Sequence, residues 1–358
     1  EGVVWSMKTR ILLGCVWAVG LGMMTNALFA ASQLDIVGPP GSDSFGNRIT
    51  VLPNGNFVVT DPSFDQINPP VTDVGAVYLF SPDGVLISSI TGSQGSDNVG
   101  NFGITVLANG NFVVLSLTWN NGAASIAGAV TWGSAETGFI GGPHTMVSAA
   151  NSLVGGSNFD QIGSDGLRPL NNGNYVVMSP FWKNGGASSA GAVTWGNGTT
   201  GTVGVVSAAN SLVGSQANDS VGFGFVTALS NGNYVVSSPN WNNGGTMNAG
   251  AATWGNGATG IKGVVSAANS LVGIQNNDRV GSGVTALSNG NYVVSSLFWD
   301  DGGITDVGAV TWGNGATGIT GPVSAANSLV GSQSADLVGS GGVAALADSN
   351  CRFSCCEW

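Results

Sequence analysis

Charge is what this sequence has least of: only 8% of its 358 residues are Asp, Glu, Lys or Arg. Lys and Arg number 8 against 19 acidic residues, for a net charge of -11. Binding nucleic acid through its phosphates needs clustered cations, so nucleic acid is excluded as a partner. An anionic membrane surface is disfavoured for the same reason. Histidine occurs once, at His144. A single imidazole without a counterpart in the other repeats reads as a surface group and not as a general base. No serine stands in a G-x-S-x-G elbow. The adjacent Asp300 and Asp301 would point to opposite faces of a strand. An enzyme is therefore not expected. The cysteines, Cys15, Cys351, Cys355 and Cys356, lie only near the two ends. They build no disulfide framework, and no metal or cofactor is expected.

What is present is repetition. Asn-Gly-Asn recurs at Asn54, Asn109, Asn172, Asn231 and Asn289, and "GAVTWG" or a variant follows from Gly75, Gly128, Gly191, Gly250 and Gly308. A fixed period near sixty residues is the mark of an array or a propeller. Glycine, at 59 residues, is more than twice its usual share. The apolar residues are chiefly Val, Ala and Leu in short runs, which fits many short strands joined by Gly and Asn turns.

The units divide as 33–86, 87–147, 148–206, 207–265 and 266–323, with a partial sixth at 324–346. The sixth should continue as "SNGNYVV" but reads "ADSNCRFSCCEW", so residues 347–358 are expected to be an aberrant, frameshifted tail. Residues 7–32 read as a secretory signal: Lys8 and Arg10, an apolar run, then "ALFAAS". Residues 1–6 precede the expected initiator Met7. The mature chain is expected to be secreted or held at the cell surface, with no membrane insertion once the signal is cleaved.

Within the fourth unit, "FVTAL" and "YVVSS" flank Ser-Asn-Gly-Asn, a hairpin signal that predicts a type I′ turn. "GAATW" and "GVVSA" flank a second Gly-Asn-Gly turn and predict a second hairpin. Four antiparallel strands per unit predict an all-β fold, a β-propeller of four-stranded blades. A β-solenoid is the alternative, with fewer strands per coil.

The first unit, "GSDSFGNRITVLPNGNFVVTDPSFDQ" followed by "VGAVYLF", resembles the FG-GAP repeat of integrin α-chain propellers and their bacterial relatives. Phe45-Gly46 matches "FG", Thr60-Asp61-Pro62 stands at "GAP", and Gly75 to Phe80 matches the third strand. The later units resemble the Asn-Gly-rich repeats of large bacterial surface proteins. The resemblance implies a propeller blade and an adhesive or scaffolding setting. The family's calcium loop has no carboxylate here, since Leu52-Pro53-Asn54-Gly55-Asn56 occupies its place, so calcium is not carried over.

Three series remain as site candidates. Asp43, Asp97, Asp160, Asp219, Asp278 and Asp336 each precede a hydrophobic-Gly pair by two residues. They are read as turn carboxylates in preference to metal ligands. Trp132, Trp195, Trp254 and Trp312, with Leu79 in the first unit, are expected to pack between blades. Trp119, Trp182, Trp241 and Trp299 sit in "SPxWxNG" loops. They are the candidates for stacking on sugar rings, with Asn120, Asn184, Asn242, Asn243, Asp300 and Asp301 bonding the hydroxyls. The other reading folds these rings over strand edges. The expected function is a non-enzymatic adhesion or scaffold module that binds a protein or glycan surface, the alternative being a propeller lectin. The low charge and an exposed last edge predict self-association.

Overall fold

A computed structural model of the chain describes residues 33–345 and 351–353. The expected signal and the residues before it, and most of the 347–358 tail, lie outside the described residues. Among the described residues there are only strands and turns, so the chain is all-β. The structure contains five repeated sheets and a final two-stranded ribbon of Val343–Ala345 with Cys351–Phe353.

The five sheets share a three-stranded antiparallel core. In the second, Gly103–Val106, Phe112–Ser116 and Ala129–Ser134 form an antiparallel meander, and Leu153–Val154 adds to its far side. The first hairpin forms in all five units, closed by Leu52 N–H to Asn56 O and its equivalents at Leu107, Leu170, Leu229 and Leu287. Its turn differs from the type I′ expectation. Gly55, Gly110, Gly173, Gly232 and Gly290 are left-handed, but the Asn before each is not. One left-handed residue suffices because the loop is longer than two residues.

The expected second hairpin forms in the first unit, where Ala76–Phe80 pairs with Leu86–Thr91, and survives as two pairs in the second, but it does not form in the fourth. "GAATW" pairs instead with Leu271–Val272, further along the chain. Gly263–Val264, from "GVVSA", runs back to the preceding sheet and lies parallel to Leu212–Val213. The same exchange joins His144–Met146 to Leu86–Thr91, Gly204–Val205 to Leu153–Val154, and Gly321–Pro322 to Leu271–Val272. The cause lies in the turn between. Gly260 is left-handed, at φ +74, and an added Cβ there would strike the Trp195 side chain. The turn is therefore seated on the sheet before it, and it delivers the next residues to that sheet's edge.

Successive sheets pack face to face. Alternate residues of a strand point to opposite faces, and both faces are covered. Phe112 and Val114 join Val58, Val77, Leu79 and Ile90 of the first sheet. Val113 and Leu115 join Tyr175 and Val177 of the third. This two-sided burial explains why "FVVLS" and "YVVMS" are apolar without alternation.

Candidate functional site

The loops at one end of the sheets bring together the Asp series and the "SPxWxNG" segments. Asp97 is fully buried. Its Oδ2 accepts the N–H groups of Ser93 and Gln94 at 2.8 Å, and its Oδ1 accepts Asn120 N at 2.9 Å and Asn120 Nδ2 at 2.8 Å. The residues on either side, Ser96 and Asn98, are left-handed, at φ 62 and 44. A carboxylate receiving several backbone N–H groups holds such a turn closed. Asp219 repeats the arrangement with Ser215, Gln216 and Asn242. Asp160 and Asp278 are likewise buried acceptors. The turn role is thus seen at these positions. Asp43 is the departure: it is exposed, and Asp61 takes over by accepting Ser44 N and Oγ.

Burial raises the pKa of Asp160 against the pull of its backbone donors. Asp278 is raised by burial too, with the neighbouring charge of Asp300 adding to the effect. Asp300 stands where the second and fourth units have Asn120 and Asn242, so an amide that donates to the buried carboxylate is replaced there by a second acid.

The sugar-stacking expectation does not survive the geometry. Trp119, Trp182, Trp241 and Trp299 are only 3–5% exposed. Each lies in the apolar layer between two sheets. A ring packed on both faces has none to offer a sugar. The polar neighbours are engaged as well. Asn120 donates to Asp97 and accepts Ile126 N–H, Asn242 repeats both bonds, and Asp300 accepts Asp306 N–H. Asn184 and Asn243 donate to the Gly214 and Gly273 carbonyls. Asp301 pairs with Ile304 through its backbone. In unit one Phe64 fills the Trp position, a substitution that suits a core place.

The other tryptophan series occupies a latch between units. The Gly198 carbonyl receives three donors from the preceding unit: Asn109 Nδ2 at 2.7 Å, Asn111 Nδ2 at 2.9 Å and Trp132 Nε1 at 2.9 Å. Gly257 receives Asn172, Asn174 and Trp195, and Gly315 receives Asn231, Asn233 and Trp254. Trp132 is buried, Trp195 and Trp254 are half-buried, and Trp312 is 51% exposed. Packing between blades therefore describes Trp132 but not Trp312. Sequence reasoning saw the hairpin in Asn-Gly-Asn and missed this latch. The signal was there: two asparagines and a tryptophan recur in step with a Gly-Asn-Gly turn one unit later.

Open surface remains in two forms. A cleft of about 420 Å³ in the second unit is lined by amides and hydroxyls, among them Gln94, Asn98, Thr118, Asn120 and Ser125. Elsewhere the turns and loops carry exposed aromatics: Phe102, Phe159, Phe181, Phe223, Phe225 and Phe298 are 41–67% exposed. Lys183 lies over Phe159 and Arg279 over Phe298, each 5.9 Å from the ring centre. His144 Nδ1 lies 2.8 Å from Ser89 Oγ, on the exchanged strand of the first sheet.

These features define a class, the tandem β-repeat proteins whose units lock to one another through turns and exchanged strands. The chain belongs to the family of the repeat of unknown function DUF5650, which matches residues 51–101, 106–164, 169–223, 228–282 and 286–340. No curated protein matches it. Among solved structures, it is similar to a protein of unknown function from Bacteroides caccae, with 11% identity over 81% of this chain and 83% of that one and a TM-score of 0.27.

Proposed function

We propose that this is a non-enzymatic display module, secreted or held at the cell surface, which binds a protein surface through its loop end. One observation carries the reading. In the second to fifth units a buried Asp and a buried Trp fix the loop frame, while a position beside that Trp differs from unit to unit. Half-buried Thr118 in the second unit corresponds to exposed Phe181 in the third, half-buried Asn240 in the fourth and exposed Phe298 in the fifth. Rigid frames carrying variable loops are a common way to build a binding surface, and exposed aromatics are enriched where proteins meet. In this reading the sheets are blades of an open, FG-GAP-like propeller arc. Support comes from the antiparallel meanders, the face-to-face packing and the placement of Phe45-Gly46 against Thr60, whose carbonyl accepts Gly46 N–H.

A second reading, carbohydrate binding, now rests on the polar cleft of the second unit and not on the tryptophans. One screen separates the two: immobilised surface proteins beside a glycan array, probed with the chain and with a Phe181→Ser/Phe298→Ser variant. Protein hits that the double variant loses support the display module. Glycan hits that persist in the double variant and disappear with Thr118→Ala/Ser125→Ala transfer the function to the cleft. No hits on either surface, with the protein shown to be folded, would sink both.

A further inference from the structure

Eleven Asn-Gly pairs stand in this sequence, and the structure sorts them by what the glycine N–H does. In the first hairpins, Gly55, Gly110, Gly173, Gly232 and Gly290 each donate their N–H to the leucine carbonyl that opens the turn, at 2.9–3.1 Å. In the Gly-Asn-Gly turns, Gly198, Gly257 and Gly315 donate theirs to Oδ1 of Asn174, Asn233 and Asn291, at 2.9–3.0 Å. The remaining three, Gly122, Gly185 and Gly244, donate to no partner among the described residues.

These three glycines occupy the same place in the second, third and fourth units. Each follows the first residue of a tight turn: Asn121 with Ala124, Asn184 with Ala187 and Asn243 with Thr246 exchange both backbone hydrogen bonds. All three glycines are exposed, and an added Cβ there would meet open space. The asparagine amide before each is held at one end only. Asn121, Asn184 and Asn243 donate Nδ2 to the carbonyls of Gly155, Gly214 and Gly273, at 2.8–3.0 Å, and their Oδ1 atoms accept nothing among the described residues. In all eight other pairs the asparagine Oδ1 accepts at least one backbone N–H. The fifth unit has Asp301 at this position, in the same turn with Ile304, so the turn accommodates a carboxylate.

We propose that Asn121, Asn184 and Asn243 are sites of covalent modification, converting to aspartate and isoaspartate through a succinimide. The glycine nitrogen attacks Cγ of the asparagine before it. An N–Cγ bond forms, the Cγ–Nδ2 bond breaks, and Nδ2 leaves as ammonia with the glycine proton. Water then opens either carbonyl of the ring, which gives aspartate or an isoaspartate whose main chain runs through Cβ. The reaction needs a glycine nitrogen that can lose its proton and a side chain that can turn toward it. Of the eleven pairs, these three have an undonated glycine N–H and an amide restrained by a single hydrogen bond, which is a weak restraint at a half-buried place. Each conversion adds a negative charge and removes the amide that ties the turn to Gly155, Gly214 or Gly273, just beyond the strands Leu153–Val154, Leu212–Val213 and Leu271–Val272. This inference is independent of what the loops bind.

The test is ageing of the whole chain in mildly alkaline buffer, with a parallel sample aged in urea. Both are then digested and read by mass spectrometry, with fragmentation that separates aspartate from isoaspartate. In the folded chain Asn121, Asn184 and Asn243 are expected to convert first. The other eight should be slower by about tenfold or more, because a hydrogen bond must open before each can react. In urea that selectivity should disappear, since every pair is Asn-Gly. Asn184→Gln should silence the third-unit site and leave Asn121 and Asn243 reacting as before. Uniform conversion in the folded chain overturns the proposal. So does faster conversion at any of the other eight pairs, the same ranking in urea, or three unreacted turns where the urea sample has reacted.

Discussion

At the residue scale, the most informative atoms are the buried carboxylate oxygens. Asp219, fully buried, accepts three backbone N–H groups and one amide. Asp219→Ala leaves those donors unmet, and a loss of about 3 kcal/mol in a urea melt is expected. Asp300→Asn should act in the opposite direction. It restores the amide-to-carboxylate bond that Asn120 and Asn242 make, and it removes the charge that helps raise Asp278. A gain of about 1 kcal/mol is expected. The pH dependence follows from the raised Asp278. Between its unfolded and folded pKa the folded state binds more protons, so stability is higher on the acid side and is lost as pH rises through the folded value. Urea midpoints measured from the ordinary carboxylate range upward should show that decline, and it should be shallower in Asp300→Asn. An equal or steeper decline would remove Asp300 as a cause.

At the element scale, the question is what each tryptophan series does. Trp241 is buried between sheets and Trp254 is a half-buried latch. Trp241→Ala should cost about 3–5 kcal/mol, as large-to-small changes in a core do. Trp254→Phe keeps the ring and loses one hydrogen bond to Gly315, so about 1 kcal/mol is expected. A mild Trp241→Ala would contradict the core role assigned here. Asn174 ties two units: its Nδ2 donates to Gly257 and its Oδ1 accepts Gly198 N–H. In Asn174→Ala, hydrogen exchange should speed up at the Gly198 and Gly257 turns before it does in the Val-rich strands.

At the scale of the whole molecule, neighbouring units share strands, latches and apolar layers, so damage to one is felt by the next. Calorimetry of the chain is therefore expected to show one broad cooperative transition, and Trp182→Ala should lower it as a whole. A split into separate transitions would mean that the interfaces are weaker than their burial suggests. The proposed propeller arc, if compact, predicts a radius of gyration of about 20 Å. An extended stack would scatter as a longer rod.

Sequence by itself determined the unit, its period, its first hairpin and its β character. Each of these is local: a run of Val beside an Asn-Gly turn has one low-energy arrangement whatever lies around it. The turn role of the Asp series was legible for the same reason, because the carboxylate and its Oδ2 donors are three or four residues apart. Only the tertiary structure decided where the fourth strand comes from, which tryptophans are buried, and that Asn-Gly-Asn grips the next unit. Those depend on contacts some twenty to ninety residues apart, from Ala251 with Val272 to Asn109 with Gly198. A periodic sequence lets the same side chain face its own unit or its neighbour equally well on paper, and packing of the finished stack makes the choice.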